Sequence, residues 1–405
     1  MDELEQLDEQ YLMNTYHRLP MIIERGEGNY LYDIDGNAYL DLFTGLAVNL
    51  LGHHHPVLLE AFHEQGEHYL HLSNQFYNPP ALHLAKMLVD HSIPGKVFFA
   101  NSGTEATDAA LKLLHKWRCH GHEGQNGIVV LKNSFHGRSF GAMRMTRQAS
   151  VYQDYPVPNI PIFEVTPNHL EELEKILQTE KPVAFLVEPV QGFGGIVPLT
   201  TEFLQGAEQL CRQHGVLLAV DEIQTGMGRT GKLFAYQHAG ITPNLIFFGK
   251  GVGGGLPLGG IIAGKELQDL FQSGDHGSTF APSPVSAALG NAAIRFILSG
   301  DFLQEVGRKA AYFREGLEKM QQEFPHVEEV RGLGMMMGVV MSLPPEEVAL
   351  IQKRLVQRGF LINVTQKRIL RFLPPLTITN RELAATLEVL YDELQGLEER
   401  WKMIG

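Results

Sequence analysis

Lys250 follows an apolar run, Leu245 to Gly249, and leads into GVGGGLPLGG. Surface lysines normally sit on polar helix faces, so a lysine between a buried strand and a glycine turn has little packing role. Where its surroundings disfavour the ammonium form, its amine becomes a nucleophile toward an aldehyde. The same position would also suit a solvated loop lysine. Asp221 ends a second apolar run, Val216 to Val220, with Glu222 and Gln224 close behind. Open α/β sheets bind ligands beyond the carboxyl ends of their strands, although a carboxylate there can equally cap a turn.

Two further groups carry chemistry. Asn101, Ser102, Gly103 and Thr104 open a stretch with apolar residues at 106, 109, 110, 113, 114 and 117, a helical stripe. Free N–H groups and the helix dipole make such a start an anion site; a plain helix cap is the simpler alternative. Phe135, His136, Gly137 and Arg138 follow the run Gly127 to Leu131. A phenylalanine can cover an aromatic ring and an arginine can clamp a carboxylate, or the pair can be a core aromatic beside a surface cation. An amine for an aldehyde, a carboxylate for a pyridinium nitrogen, a phosphate-binding helix start and a stacking ring are together the requirements of pyridoxal phosphate.

These groups need a scaffold. From about 80 to 295, short aliphatic runs (Gly127 to Leu131, Val183 to Val187, Val216 to Val220, Leu245 to Phe248, Gly260 to Ala263) alternate with helical stretches. This alternation predicts a mostly parallel sheet covered by helices. Ser102 and Glu105 predict a capping box at the start of the helix over 104–118. Asn29 to Leu42 reads as a hairpin about Asp35 and Gly36. After about 296 amphipathic helices alternate with short strands such as Gly338 to Met341 and Ile369 to Phe372, a smaller α+β domain that the N-terminal hairpin joins. The expected division is 1–45, packed with the small domain; 46–295, the large cofactor-binding domain; and 296–405, the small domain.

Composition narrows the class. The chain has 405 residues, 44% hydrophobic and 20% charged, which suits a globule of two domains sharing one site. A net charge of −13 disfavours nonspecific attraction to nucleic acid or anionic membrane. The start MDELEQLDEQ is acidic, and no apolar run approaches the roughly 18 residues of a membrane span, so a cytoplasmic protein is expected. Cys119 and Cys211 have no metal or disulfide spacing, and His53, His54 and His55 read as a loop before Pro56 rather than a metal site.

Motifs along nearly the whole chain resemble the class III aminotransferases of pyridoxal-phosphate fold type I, especially the acetylornithine and ornithine group: LMNTYHRLP, LAVNLLGHHHP, FFANSGTEATDAALK, SFHGR, VEPVQGFGG, DEIQTGMGRTGKLFAY, GKGVGGGLPLGG, GDHGSTF, RGLGMMMG and RFLPPLT. The resemblance implies a seven-stranded main sheet and a homodimer. It also implies transfer of an amino group from an ω-amino or diamine-type donor to 2-oxoglutarate in two half-reactions, and a place in arginine biosynthesis. It assigns Lys250 to the aldehyde carbon, Asp221 to the pyridine nitrogen and Gln224 to the ring hydroxyl. Ser102, Gly103 and Thr104 would hold the phosphate with Thr279 of the neighbouring subunit, Phe135 would stack on the ring, and Glu188 would brace the strand ends. Arg138 and Arg371 would clamp substrate carboxylates. A non-transferring isomerase or lyase of the same fold, and a catalytically silent binding protein, are the alternatives.

The chain departs from the acetylornithine pattern where substrates are selected. Phe193 stands where that pattern has a glutamate, Thr107 and Asp108 replace Asn-Glu, and Phe280-Ala281-Pro282-Ser283-Pro284 replaces Phe-Gly-Gly-Asn-Pro. Without the glutamate, Arg371 is expected to stay unmasked or to take another partner.

Overall fold

The computed structural model describes residues 2–155 and 159–404. Its centre is a seven-stranded sheet ordered Gly95–Ala100, Gly259–Gly264, Leu245–Phe248, Leu217–Asp221, Ala184–Val187, Ile128–Leu131 and Ile162–Val165. Only Gly259–Gly264 runs against its neighbours, so the other six strands point their carboxyl ends the same way. The expected runs are all present, and those ends form one edge on which a site can be assembled.

Burial on both faces explains the continuous apolar runs. Ile246 and Phe248 enter one core cluster, while Leu245 and Phe247 enter the other. Leu218 and Val220 are divided in the same way from Leu217 and Ala219. Each fully buried large side chain contributes roughly 1.5–3 kcal/mol, and a cavity at Phe247 would cost about 3–5 kcal/mol.

The helix Gly103–Arg118 carries the expected stripe, with Ala106, Ala109, Ala110, Leu113 and Leu114 buried. Its capping differs in one bond from the expected box. Ser102 Oγ accepts from Glu105 N at 3.3 Å, but the Glu105 carboxylate accepts from Asn101 N at 2.6 Å rather than from the cap residue.

Of two smaller four-stranded sheets, the first brings the N-terminal strands against a strand from near the other end of the chain. Ile23–Glu27, Tyr30–Asp33 and Ala38–Asp41 form the N-terminal antiparallel sheet, and Phe360–Leu361 pairs in parallel with its last strand, Leu40 opposite Phe360. The second sheet runs Val327–Leu333, Met336–Met341, Ile369–Phe372, Asn363–Thr365, antiparallel throughout. His53 Nε2 contacts Asp41 Oδ2 at 2.9 Å and His55 packs edge-on against Phe296, so neighbours in the histidine run face different partners. No described helix is long and apolar enough to cross a membrane.

Candidate active site

Five strands of the main sheet deliver residues to its carboxyl edge. Asp221 is the last residue of Leu217–Asp221, Glu188 follows Ala184–Val187, and Lys250 lies just beyond Leu245–Phe248. The Phe135–Arg138 segment follows Ile128–Leu131, and the start of the helix Gly103–Arg118 follows Gly95–Ala100. Gly103, Thr104, Phe135, Arg138, Glu188, Phe193, Asp221, Gln224 and Lys250 line one cavity of about 260 Å³ with His136, Val190 and Ile223. The candidates from five separate motifs therefore share a space the size of a small ring compound.

Lys250 takes a left-handed backbone, φ 49°, which a residue with a side chain adopts at a cost of about 1–3 kcal/mol and which clusters at functional sites. Burial holds its amine below the ordinary lysine range; Asp221 and Glu188 pull it back up, while Arg371 pushes it further down. A desolvated amine gives up its proton more readily and is the better nucleophile. Lys250 is therefore buried in the cavity wall and not a solvated loop lysine.

Asp221 is anchored on both oxygens. Oδ1 accepts from Ile223 N at 3.0 Å, and Oδ2 lies 2.7 Å from His136 Nδ1, with both side chains buried. A carboxylate only accepts, so Nδ1 carries the proton in this contact. His136 was legible within SFHGR, yet its part in the site was not expected. Glu188 accepts from Phe135 N at 3.0 Å and from Gly192 N at 3.4 Å, tying two cavity loops together. Burial raises its pKa to about 7, against the lowering effect of His136 and with Asp221 adding to the rise.

At the helix start the N–H groups of Gly103 and Thr104 precede any intrahelical acceptor. The Thr104 hydroxyl is already engaged, accepting from Arg138 N and Ser139 N at 3.1 Å each. Ser102 Oγ accepts the cap bond in the same way, with Ser102 outside the cavity lining; accepting leaves a hydroxyl its own O–H to donate. A Cβ on Gly103 would come within 2.7 Å of Ile223 Cδ1, and one on Gly192 within 1.8 Å of Gln224 Oε1. A side chain at either place would require Ile223 or Gln224 to shift.

Other candidates lie at or beyond the rim. Arg138 is exposed, its guanidinium carbon 5.9 Å from the Phe135 ring centroid. Phe135 stacks on Phe193 with centroids 4.3 Å apart. Arg371 is almost fully buried beside Phe193, 5.3 Å from its ring centroid, and does find a partner: Nε and Nη2 donate to Asn363 Oδ1 at 3.0 and 2.5 Å. Thr279 is exposed and outside the lining of its own chain's cavity.

The residues present fit pyridoxal phosphate. His136 Nε2 and Gln224 Oε1 are buried without a hydrogen-bond partner among the described residues, Gln224 lines the cavity itself, and the groups present are a desolvated amine, an oriented carboxylate and a helix start. Buried polar atoms of this kind call for a ligand or water to satisfy them.

The family described as aminotransferase class-III matches residues 11–394 of the chain. An acetylornithine aminotransferase of Caldanaerobacter subterraneus subsp. tengcongensis is 42% identical over 392 residues, 96% of this chain and 98% of that protein. A succinylornithine transaminase of Citrobacter koseri is 38% identical over 384 residues, 94% of this chain and 94% of that protein. A solved structure of ornithine aminotransferase from Toxoplasma gondii, described with partial occupancy of PLP at the protein active site, has a TM-score of 0.93 at 29% identity, covering 99% of this chain and 96% of that one.

Proposed function

The chain belongs to the class III aminotransferases, and from that premise we propose that it carries an amino group from an ω-amino or diamine-type donor, of the N-acetylornithine kind, to 2-oxoglutarate, using pyridoxal phosphate at Lys250. The observation that carries this reading is the convergence of Lys250 and Asp221 on one cavity, the first desolvated and the second oriented by His136.

When bound, pyridoxal phosphate supplies an aldehyde carbon for the amino group and a ring that withdraws electrons from the neighbouring carbon. Gly103 and Thr104 offer backbone N–H groups to its phosphate, and Phe135 and Ile223 offer apolar walls. Asp221 would keep a proton at the ring nitrogen, because a buried carboxylate stabilises a cation beside it. Gln224 addresses the ring hydroxyl, and Glu188 braces the loops of Phe135 and Gly192. Lys250, which lines the cavity, would hold the aldehyde carbon and, once freed, would take a proton from the substrate and return it. Arg138 at the mouth and Arg371 beyond Phe193 receive substrate carboxylates.

The three-part division at 45 and 295 belongs to the same reading and is supported by the pairing of Leu40 with Phe360. So do a homodimer in which Thr279 reaches the partner's phosphate, a cytoplasmic location and a role in arginine biosynthesis. The test is to mix the purified protein with single amino compounds and follow the cofactor spectrum. Conversion by L-glutamate and by an ω-amine supports transfer; a cofactor-loaded protein that glutamate leaves unchanged supports the isomerase or lyase alternative instead.

A further inference from the structure

Arg371 and Asn363 are cross-strand partners in the register of Ile369–Phe372 with Asn363–Thr365, so their side chains share one face of the sheet. Two guanidinium donors, Nε and Nη2, converge on Asn363 Oδ1, and Nη1 lies 3.4 Å from Gly192 O. A guanidinium has five N–H groups. Three are thus spoken for, and one remains on each Nη, the pair that can grip a carboxylate at two points.

Among the described residues, the hydrogen-bond and ring contacts of Arg371 carry no compensating charge. Asn363 and the Gly192 carbonyl are neutral, and the Phe193 ring lies 5.3 Å from the guanidinium carbon. Burial alone pushes the Arg371 pKa down, to about 10, and no neighbouring carboxylate acts to raise it. The loop that carries Phe193 is pinned from the small antiparallel sheet. Gln366 Nε2 donates to Phe193 O at 2.6 Å, Thr365 Oγ1 to the same oxygen at 3.4 Å, and Arg331 Nε to Gly195 O at 2.8 Å. A buried, uncompensated cation in a fixed frame is costly and gains strongly from an incoming anion.

We propose that Asn363 is the positioning residue that fixes Arg371 as a standing receiver for a substrate carboxylate, with Phe193 as its neutral cover. This rests on the reading above of Arg371 as a substrate contact. Substrates whose reacting carbon bears a carboxylate, amino acids and 2-oxo acids such as glutamate and 2-oxoglutarate, then enter without displacing any protein anion. An ω-amine, whose reacting carbon bears none, leaves the cation covered by Phe193 but uncompensated. The site is therefore biased toward the glutamate side of the reaction.

Glutarate, a dicarboxylate with no reacting group, probes this directly by calorimetry on the purified holoenzyme. Asn363→Asp, nearly isosteric but anionic, is expected to weaken glutarate binding at least about fivefold, because the new carboxylate already occupies the cation. Asn363→Ser, neutral and still able to accept a hydrogen bond, is expected to lose less. In the glutamate half-reaction Asn363→Asp should raise KM more than it lowers kcat. Phe193→Glu introduces the anion from the opposite side and reads the same effect should the first variant fail to fold. A loss below about fivefold for every folded anionic variant, or an equal loss for Asn363→Ser, overturns the proposal. If glutarate binding responds as expected while glutamate leaves the cofactor spectrum unchanged, the receiver stands and the proposed reaction falls.

Discussion

His136 Nδ1 lies 2.7 Å from Asp221 Oδ2 at the carboxyl edge of the main sheet, with the histidine side chain fully buried and the aspartate nearly so. This contact, with the Ile223 N–H on Oδ1, fixes how Asp221 presents its charge to the cavity. Asp221→Asn is expected to fold but to lose about 10²–10³-fold or more in turnover, the scale of removing a preorganised electrostatic partner. His136→Phe should lose less, since the carboxylate remains. Single-turnover rates check both; a loss below tenfold for Asp221→Asn would assign the ring nitrogen to another acid.

Stability of the cofactor-free protein should fall between about pH 4.5 and pH 7. Burial raises both Glu188 and Glu222 from 4.5 to about 7, so across this window the folded state binds protons that the unfolded state has released. Their contribution is full below 4.5 and is lost as pH rises through 7. At most, each amounts to on the order of 3 kcal/mol. Denaturant midpoints against pH measure the slope. Glu222→Gln, although destabilised throughout because it disturbs the bonds from Tyr236 N and Thr225 Oγ1, should show a shallower one; an unchanged slope would mean that Glu222 does not titrate there.

Phe193→Glu should raise the N-acetylornithine half-reaction relative to the glutamate half-reaction. A glutamate at 193 could pair with Arg371 while an ω-amine reacts and release it for a dicarboxylate, whereas Phe193 can only cover it. Wild type that converts N-acetylornithine as fast as glutamate would show that no such device is needed.

The holoenzyme should sediment as a dimer or larger. Thr279 is exposed and away from its own chain's cavity, as a residue serving a second subunit would be. An active species of 45.2 kDa, the mass of one chain, would rule this out.

What could be read from the sequence was what local pattern determines. Runs such as Leu245 to Phe248 are apolar at every position because both sheet faces are covered, and the stripe from Ala106 to Leu114 has the helical period. Asp221 and Lys250 stood out because polar residues follow such runs directly. Asn363 did not, since its contact with Arg371 depends on the register of two strands and nothing in NVTQKRILRF alone marks the asparagine as a clamp. His136 had a visible motif but no visible partner, because Asp221 is 85 residues away. The second half of the capping box missed by one residue because Glu105 reaches Asn101 rather than Ser102.

Lys250 is proposed to hold pyridoxal phosphate as the working residue of the aminotransferase. Lys250→Ala should fold and retain some cofactor through the helix start and cavity walls while losing turnover. The most direct measurement is borohydride reduction of the wild-type holoenzyme followed by proteolysis and mass mapping. One pyridoxyl-phosphate adduct is expected, on the peptide containing Lys250, and none in Lys250→Ala; an adduct on a different lysine, or an unmodified Lys250 in active enzyme, would overturn the assignment.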